Sequence, residues 1–176
     1  AQAGTPRLSV SEDWQDGTYT LTFTQNTPDT PGQTDKKPMV IPIALGLLNP
    51  NGDEVLPTEM LEMTQASQSF SYPNLASRPV PSILRGFSAP VILERDQTPD
   101  EQAFLLAHDT DPFNKWEAGN NLATDILVAM TEGADAGSLL PQSLKAVALD
   151  ETLDPAFRAL ALSLPSEDAI AKAVFE

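Results

Sequence analysis

The sequence predicts an α+β protein in which a β part comes first and an α-helical part follows. Up to residue 97 the apolar residues recur at every second position, which is the period of a half-buried strand. From residue 98 they recur at every third or fourth position, which is the period of an amphipathic helix. Because the period changes at Thr98-Pro99, we expect two units, residues 1–97 and residues 98–176.

Seven short strands are predicted in the β part. The clearest is Thr18 to Thr24, where Tyr19, Leu21 and Phe23 alternate with threonines. The others are Arg7 to Ser11, Met39 to Leu48, Met60 to Thr64, Gln68 to Tyr72, Val80 to Phe87 and Val91 to Glu94. Such strands, separated by turn signals over about 100 residues, are typical of an antiparallel β-sandwich of immunoglobulin type.

Proline and polar residues mark the irregular positions of this part. Asn26 to Pro38 is rich in both, so we expect a mobile loop there. Pro42 has no backbone N–H to donate to a neighbouring strand, which predicts an edge position or a bulge. Asn49 to Gly52 predicts a tight turn.

Helix start signals open the α part. Thr98-Pro99-Asp100-Glu101 forms a capping box, which predicts a helix as far as about His108. Asp111-Pro112 repeats the signal and predicts a long helix to residue 132. Shorter helices are predicted at Pro141 to Leu149, Pro155 to Leu164 and Glu167 to Phe175. Helices joined by short loops predict an α-helical hairpin stack, which we expect to be incomplete at residue 176.

The apolar stripe of the long helix predicts its buried face. Its members recur at helical spacing and are Phe113, Trp116, Asn120, Ala123, Leu127 and Met130, with Leu122, Ile126 and Ala129 widening the stripe. Phe113 and Trp116 could form a ligand platform, but an aromatic pair at this spacing is more typical of a core. We therefore expect both rings in the core.

The charge of the chain disfavours two classes of partner. The net charge is −15, with 6 basic and 11 acidic side chains in residues 1–97 and 4 basic and 14 acidic in residues 98–176. Such a surface repels nucleic-acid phosphates and anionic lipids, and no apolar run approaches the ~20 residues of a membrane span. With no cysteine, the chain suits a reducing compartment, and we expect a cytoplasmic protein.

His108 is the one histidine of the sequence and a candidate metal ligand, with Asp109 and Asp111 close by. A zinc site needs three or four converging ligands, whereas these carboxylates stand where they cap the next helix. A cation at a helix C-terminus has its own physical basis, the helix dipole. No Gly-x-Ser-x-Gly elbow or phosphate-binding glycine loop accompanies it. We therefore expect no catalytic, cofactor-binding or metal-binding residue in this chain.

Arg85 is unusual because it shares strand parity with Ile83 and Phe87, which predicts a guanidinium among apolar neighbours. A buried arginine requires a carboxylate or carbonyl partner. A structural ion pair, within the chain or across an interface, is the favoured interpretation, and a contact with substrate is the alternative.

Three segments together carry a family resemblance. They are QAGTP (Gln2 to Pro6), RPVPSILRGFSAPV (Arg78 to Val91) and HDTDPFNKWEAGNNLA (His108 to Ala123). They resemble the bacterial aminopeptidase N family, the alanyl aminopeptidases among the zinc metallopeptidases. The resemblance implies that residues 1–97 are the immunoglobulin-like domain that follows the catalytic domain there. It also implies that residues 98–176 start the α-superhelical C-terminal domain.

The resemblance implies zinc and the removal of N-terminal amino acids from peptides only for a longer parent protein. The zinc motif of that family, H-E-x-x-H, needs two histidines, and this chain has one. We therefore expect an inactive structural fragment whose partners are the missing catalytic and C-terminal domains of the same chain, with peptides as substrates of the parent. Its expected role is to hold the helical domain over the active site. The alternative is a stand-alone β-sandwich binding or scaffold module with a helical extension.

Overall fold

The computed structural model describes residues 2–175. These residues form two compact units, the first ending at Asp96 and the second beginning at Gln97. The first unit is built from strands and the second from helices, as the change of hydrophobic period predicts.

The strands of the β unit number seven within the described residues and form two sheets. They are β1 (Arg7–Gln15), β2 (Thr18–Asn26), β3 (Ile41–Leu48), β4 (Glu54–Met63), β5 (Ser67–Tyr72), β6 (Val80–Ile83) and β7 (Ile92–Glu94). One sheet has the order β5-β2-β1-β7 and the other β4-β3-β6. The pairing of β1 with β7 is parallel, and the other strand pairs are antiparallel. The predicted immunoglobulin-like sandwich is confirmed, with one parallel pair at an edge.

The core of the β unit lies between the two sheets. Tyr19, Leu21 and Phe23 of β2 are fully buried, as their alternation predicts. They share one cluster with Ile43 and Leu45 of the opposite sheet. Burying each large side chain of this kind stabilises the fold by about 1.5–3 kcal/mol, so this shared layer is what joins the two sheets.

Pro42 occupies an edge position within a central strand. β3 lies between β4 and β6, but its pairing with β6 begins only at Leu45. Beside Pro42, the hydroxyl of Ser88 takes the place of a strand: it donates to the Pro42 carbonyl at 3.2 Å and accepts from the Ala44 N–H at 2.9 Å. The register shifts of β3 against β4 lie further along, between Leu45 and Leu47 and between Leu47 and Leu48. The edge prediction therefore fits, and the bulge is elsewhere.

The predicted strand from Val80 to Phe87 is wrong in its second half. β6 ends at Ile83, and a short 3-10 turn follows at Arg85–Phe87. Leu84 has a φ of +61° and Phe87 a φ of +55°. A left-handed residue reverses the backbone direction and cannot continue a strand, so the parity argument for Arg85 fails from Leu84 onward. Each such non-glycine residue costs of order 1–3 kcal/mol, which the surrounding contacts must offset.

The loop between β2 and β3 is tied to the N-terminal segment. The side-chain amide of Gln2 donates to the Lys37 carbonyl at 2.7 Å, and its oxygen accepts from the Lys37 N–H at 2.6 Å. A two-residue bridge joins Thr30 to Gln33. These hydrogen bonds tie to the N-terminal segment, and to itself, a loop that the sequence predicts to be mobile.

The helices of the second unit follow the predicted order. They are α1 (Pro99–His108), α2 (Pro112–Thr131), α3 (Leu139–Leu149), α4 (Pro155–Ala161) and α5 (Glu167–Phe175). The predicted caps form, because the Thr98 hydroxyl accepts from the Glu101 N–H and the Asp111 carboxylate accepts from the Asn114 N–H. α4 ends at Ala161, three residues before the predicted end, and α3 begins two residues before the predicted start.

The buried face of α2 is rotated from the one that its apolar stripe predicts. Leu122 and Ala123 of the predicted stripe are buried and form a core with Leu140 of α3. The other buried positions, Asn114, Lys115, Ala118 and Gly119, lie outside that stripe, and Met130, within it, is 42% exposed. α1 approaches α2 closely at Gly119, where a Cβ atom would lie 2.9 Å from Cδ1 of Leu106. A small residue at the crossing, rather than a large apolar one, therefore decides which face of α2 is covered.

Candidate functional site

Arg85 is buried on the outer face of the three-stranded sheet and is paired. Its side chain is 3% exposed, and Nη1 lies 2.5 Å from Oε1 of Glu54. The same nitrogen donates to the Thr58 hydroxyl at 2.9 Å, and Nε donates to the Ser82 hydroxyl at 2.9 Å. Glu54 is the carboxylate partner that a buried arginine requires, and it lies within the same unit rather than across an interface.

A glycine makes room for this guanidinium. A Cβ atom at position 46 would lie 2.1 Å from Cζ of Arg85 and 2.4 Å from both Nη atoms. No side chain other than hydrogen fits there, so Gly46 and Arg85 depend on each other. The Arg85 guanidinium donates to Glu54, Thr58 and Ser82, which all lie on strands of its own sheet, so the structure contains the favoured structural ion pair.

A second ionic cluster, which was not predicted from the sequence, is centred on Glu12 of β1. One oxygen of Glu12 accepts from Arg95 Nε at 2.8 Å and Nη2 at 2.6 Å. The other oxygen accepts from the Tyr19 hydroxyl at 2.7 Å and from Arg78 Nη2 at 3.1 Å. The side chains of Glu12 and Arg95 are 13% and 5% exposed. We call these four residues the Glu12 clamp, because they join β1, β2, the segment before β6, which holds Arg78, and the end of β7, which Arg95 follows.

Burial of the Glu12 carboxyl by itself raises its pKa. The charge of Arg95 and the hydrogen bonds from Tyr19, Arg95 and Arg78 outweigh that effect, so the pKa lies below its usual value. Burial and the neighbouring carboxylate in turn raise the pKa of the Tyr19 hydroxyl. Glu12 is therefore an anion held by its donors, which suits a structural clamp and not a general acid.

Strand parity is the signal that could have found Glu12. Leu8 faces the core from β1, and Val10 and Trp14 pack against that core at the same parity. Glu12 falls in this series, so its carboxylate points inward. The predicted strand stopped at Ser11, one residue too early for the series to include it.

His108 lies at the C-terminal end of α1 and is exposed. Its ring centroid is 4.8 Å from that of Phe104, one turn earlier. The two neighbouring carboxylates bind backbone groups, since Asp109 accepts from the Asp111 N–H at 3.0 Å and Asp111 accepts from the Asn114 N–H at 2.9 Å. Over residues 2–175, no three His, Asp or Glu side chains converge as metal ligands would. These residues do not fit a zinc ion.

Lys115 of α2 is a buried cation that fixes the corner between α1 and α2. It is 6% exposed, and Nζ donates to the Ala107 carbonyl at 2.8 Å. Burial lowers the pKa of Lys115, and the charges of Asp150 and Asp109 offset part of that effect. Burial also raises the pKa of the Glu117 carboxyl of the same helix. Lys115 binds the orphan carbonyl end of α1, which is a structural role.

The aromatic pair of α2 is half-buried rather than fully in the core. The ring centroids of Phe113 and Trp116 lie 6.1 Å apart with an interplanar angle of 47°. Both side chains keep part of their surface in contact with solvent. The expected burial of both rings in the core is therefore only partly met.

One surface cavity, of about 360 Å³, adjoins the loop before β3 and is lined by Gln2, Gly32, Gln33, Thr34, Asp35 and Lys36. Its cation is already engaged: Lys36 Nζ donates to Ala3 O, Thr30 Oγ1 and Gln33 Oε1 at 2.7–3.2 Å. An ammonium group has three protons, so these acceptors use all of them. The cavity therefore offers no strong donor to an anionic ligand from Lys36.

Comparison with known families assigns both units. Residues 4–96 match the family described as Domain of unknown function (DUF3458) Ig-like fold, and residues 99–176 match Domain of unknown function (DUF3458_C) ARM repeats. No helix among residues 2–175 is both long and apolar enough to span a lipid bilayer.

Several proteins of known name are similar to the chain. Aminopeptidase N of Escherichia coli is 37% identical over 98% of this chain and 22% of its own length. Aminopeptidase N of Caulobacter vibrioides is 43% identical over 73% of this chain and 15% of its own length. A crystal structure of Legionella pneumophila aminopeptidase A in complex with aspartic acid superposes with a TM-score of 0.83 at 27% identity, over 97% of this chain and 20% of that one. The chain thus spans less than a quarter of the length of these relatives.

Proposed function

Because the chain belongs to the aminopeptidase N family, as a DUF3458 Ig-like domain followed by DUF3458_C ARM repeats, we propose that it is a non-catalytic structural part of a longer zinc-dependent aminopeptidase. The longer parent removes N-terminal amino acids from peptides. The other domains of that polypeptide are the partners of this chain. The cytoplasmic location expected from the sequence stays a prediction.

The Glu12 clamp is the observation that carries this proposal. Arg95 is the last residue but one of the β unit, and the clamp holds its side chain inside that unit. On the other side, the Thr98 hydroxyl already caps α1. Two residues, Asp96 and Gln97, connect these anchored points. So short a connection suits a spacer that sets where a helical domain begins, and it supports a role in holding that domain over the active site.

Zinc fits the proposed parent but not the residues of this chain. When bound, zinc activates a water molecule for attack on a peptide carbonyl. The carboxylates of Asp109 and Asp111 beside His108 each accept from a backbone N–H, and no three possible metal ligands converge among residues 2–175. Three buried cations, Arg85, Arg95 and Lys115, bind carboxylates or a carbonyl of the same chain. We therefore assign the metal and the chemistry to the remaining domains of the parent.

Deleting residues 1–97 from the parent tests the spacer role. The expected result is impaired folding or a loss of selectivity for short peptides, measured as the ratio of kcat/KM values for a dipeptide and a longer peptide. The variant Glu94→Gln, which alters only an exposed pair, serves as the control. An equally selective, equally stable deletion variant would refute the role.

A second experiment tests whether catalysis and zinc binding belong to the other domains of the parent and not to this chain. The 176-residue chain is incubated with zinc and an alanyl anilide, and we expect neither hydrolysis nor tight stoichiometric binding of zinc. Turnover by this chain would show that its residues do hold a catalytic ion. A reading frame that continues upstream into an H-E-x-x-H motif would support the parent, and one that starts near residue 1 would favour a stand-alone module.

A further inference from the structure

The turn between β3 and β4 contains the one asparagine of the sequence that a glycine follows. Asparagine stands at positions 26, 49, 51, 74, 114, 120 and 121, and only Asn51 precedes a glycine, Gly52. Asn51 is exposed to solvent. A backbone nitrogen attacks the side-chain amide of the preceding asparagine most easily when its own residue has no Cβ atom to hinder the approach. The pair therefore joins an electrophilic amide to an unhindered nucleophile.

The Asn51 side chain folds forward over Gly52. Its Oδ1 accepts from the Asp53 N–H at 3.0 Å, and the same N–H is shared with Oδ1 of Asn49 at 3.1 Å. The ring that the first bond closes contains both Cγ of Asn51 and the nitrogen of Gly52, so the two atoms that must join are held near each other. The Asp53 N–H also faces the oxygen on which negative charge develops when Cγ is attacked, as the donor of an oxyanion hole does.

One hydrogen bond holds the attacking nitrogen back. The Gly52 N–H donates to the Asn49 carbonyl at 3.0 Å, and the nitrogen attacks only when this proton leaves. Because the turn is exposed, solvent base can remove the proton. The rate of attack therefore rises with pH.

We propose that Asn51 is a site of spontaneous deamidation. The nitrogen of Gly52 forms a bond to Cγ of Asn51, the bond from Cγ to Nδ2 breaks, and the amide nitrogen leaves as ammonia with the proton of the Gly52 nitrogen. One water then opens the cyclic imide at either carbonyl, which gives aspartate or isoaspartate. No electrons are transferred, and the net reaction converts one amide and one water into one carboxylate and one ammonium ion.

The product places a negative charge where the turn has a hydrogen-bond donor. Nδ2 of Asn51 donates to Oδ2 of Asp53 at 2.9 Å, so a carboxylate at position 51 faces a second carboxylate. Isoaspartate also lengthens the main chain of a turn whose ends are joined by the bond from the Asn49 N–H to the Asp53 carbonyl, at 2.8 Å. Glu54 comes directly after this turn and holds Arg85. Deamidation therefore loosens the end of the strand that supplies the partner of a buried guanidinium.

Peptide mass spectrometry of the folded 176-residue chain, incubated in mildly alkaline buffer, tests the site. Asn74 is the matched comparison, because it is exposed in a turn and the N–H of Leu75 after it is bonded to the Gly17 carbonyl at 2.9 Å. We expect Asn51 to be converted at least about tenfold faster than Asn74, since the leucine side chain hinders the attack. Equal rates at the two positions overturn the proposal. Conversion of Asn51 only after the chain is unfolded in urea also overturns it.

A second asparagine of the turn gives an internal control. Asn49 precedes Pro50, whose nitrogen carries no proton and cannot form a neutral imide. Asn49 should therefore stay intact while Asn51 is converted. Loss of the Asn49 amide at the rate of Asn51 would show that direct hydrolysis by water, and not attack by the Gly52 nitrogen, removes both amides, which contradicts the proposed step.

Two variants test the effect on the fold. Asn51→Asp installs the new charge in every molecule and should unfold at a lower urea concentration than wild type, as should wild type after conversion. Asn51→Gln keeps an amide but needs a larger ring to cyclise, so its midpoint should not change during the same incubation. The fluorescence of Trp14 in a chain with the substitution Trp116→Phe reports the midpoint. An Asn51→Asp midpoint equal to that of wild type, or an equal fall in incubated Asn51→Gln, overturns the loosening.

Discussion

The variant Glu12→Gln tests how far the β unit depends on its buried carboxylate. Removing one partner of a buried ion pair costs about 3–5 kcal/mol, because the other charge stays buried without compensation. Arg95, at 5% exposed, is in that position, whereas Arg78, at 61% exposed, can turn to water. Glutamine keeps the shape and one acceptor oxygen. We therefore expect the lower end of the range, a loss of about 3 kcal/mol in the free energy of unfolding.

Urea unfolding followed by the fluorescence of Trp14 measures this loss. The substitution Trp116→Phe in all variants removes the other tryptophan, so the signal comes from the β unit alone. Glu94→Gln is the matched control: Glu94 lies 2.6 Å from Arg7, but the two side chains are 44% and 49% exposed. A pair so exposed contributes at most about 1 kcal/mol. Equal losses in the two variants would refute the reasoning.

The pH dependence of the free energy of unfolding provides a second test of the same prediction. The pKa of Glu12 is lowered in the folded chain, so its stabilisation is fully present above the ordinary value of 4.5 and is lost as the pH falls through the folded value. The difference in unfolding free energy between wild type and Glu12→Gln is therefore constant near neutral pH and shrinks below pH 4.5. A difference that does not change with pH would mean that packing, rather than charge, accounts for the loss.

Three further predictions address other contacts. Gly46→Ala places a Cβ atom against Arg85 and should cost about 3 kcal/mol in the same urea assay, since the guanidinium must leave its partners; a cost below about 1 kcal/mol would mean that the strand yields instead. The pKa of Lys115 is lowered in the folded chain, so just below pH 10.5 the unfolded chain binds more protons and the stability of the helical unit rises with pH. Lys115→Met should abolish this rise, which thermal melts followed by circular dichroism measure. Asp154→Ala removes a cap that accepts from two N–H groups and should cost about 1 kcal/mol, whereas Ser138→Ala, at an N-cap without a side-chain bond, should be neutral in the same melts.

Most elements of the fold were predictable from the hydrophobic period and from the helix-capping residues. The alternation around Tyr19 and the capping box at Thr98 each define an element without help from the rest of the chain. β4 begins six residues before its predicted start, because Glu54 to Glu59 is mostly exposed and shows no apolar alternation. The predicted strand from Val80 to Phe87 was wrong in its second half because the hydropathy pattern does not report left-handed φ angles, such as those of Leu84 and Phe87. Gly86 was the only local warning.

The candidate sites were less accessible to sequence reasoning. The need of Arg85 for a carboxylate was predictable, but the identity of Glu54, 31 residues earlier, depends on the register of β3 with β4. The role of Gly46 depends on that register too. Glu12 and Arg95 are 83 residues apart, and only the completed sheet brings them together. Long-range pairs of this kind follow from topology, which a single sequence does not encode locally.

The parallel pairing of β1 with β7 has a consequence for synthesis. Arg7 stands opposite Ile92, so the first strand of the β unit acquires its last neighbour only when the final strand has emerged from the ribosome. Until then one edge of β1 stays open, and an open edge invites pairing with other chains. The helices that follow rely on local contacts and form fast. A nascent chain arrested ahead of Ile92 is therefore the species that most needs a chaperone.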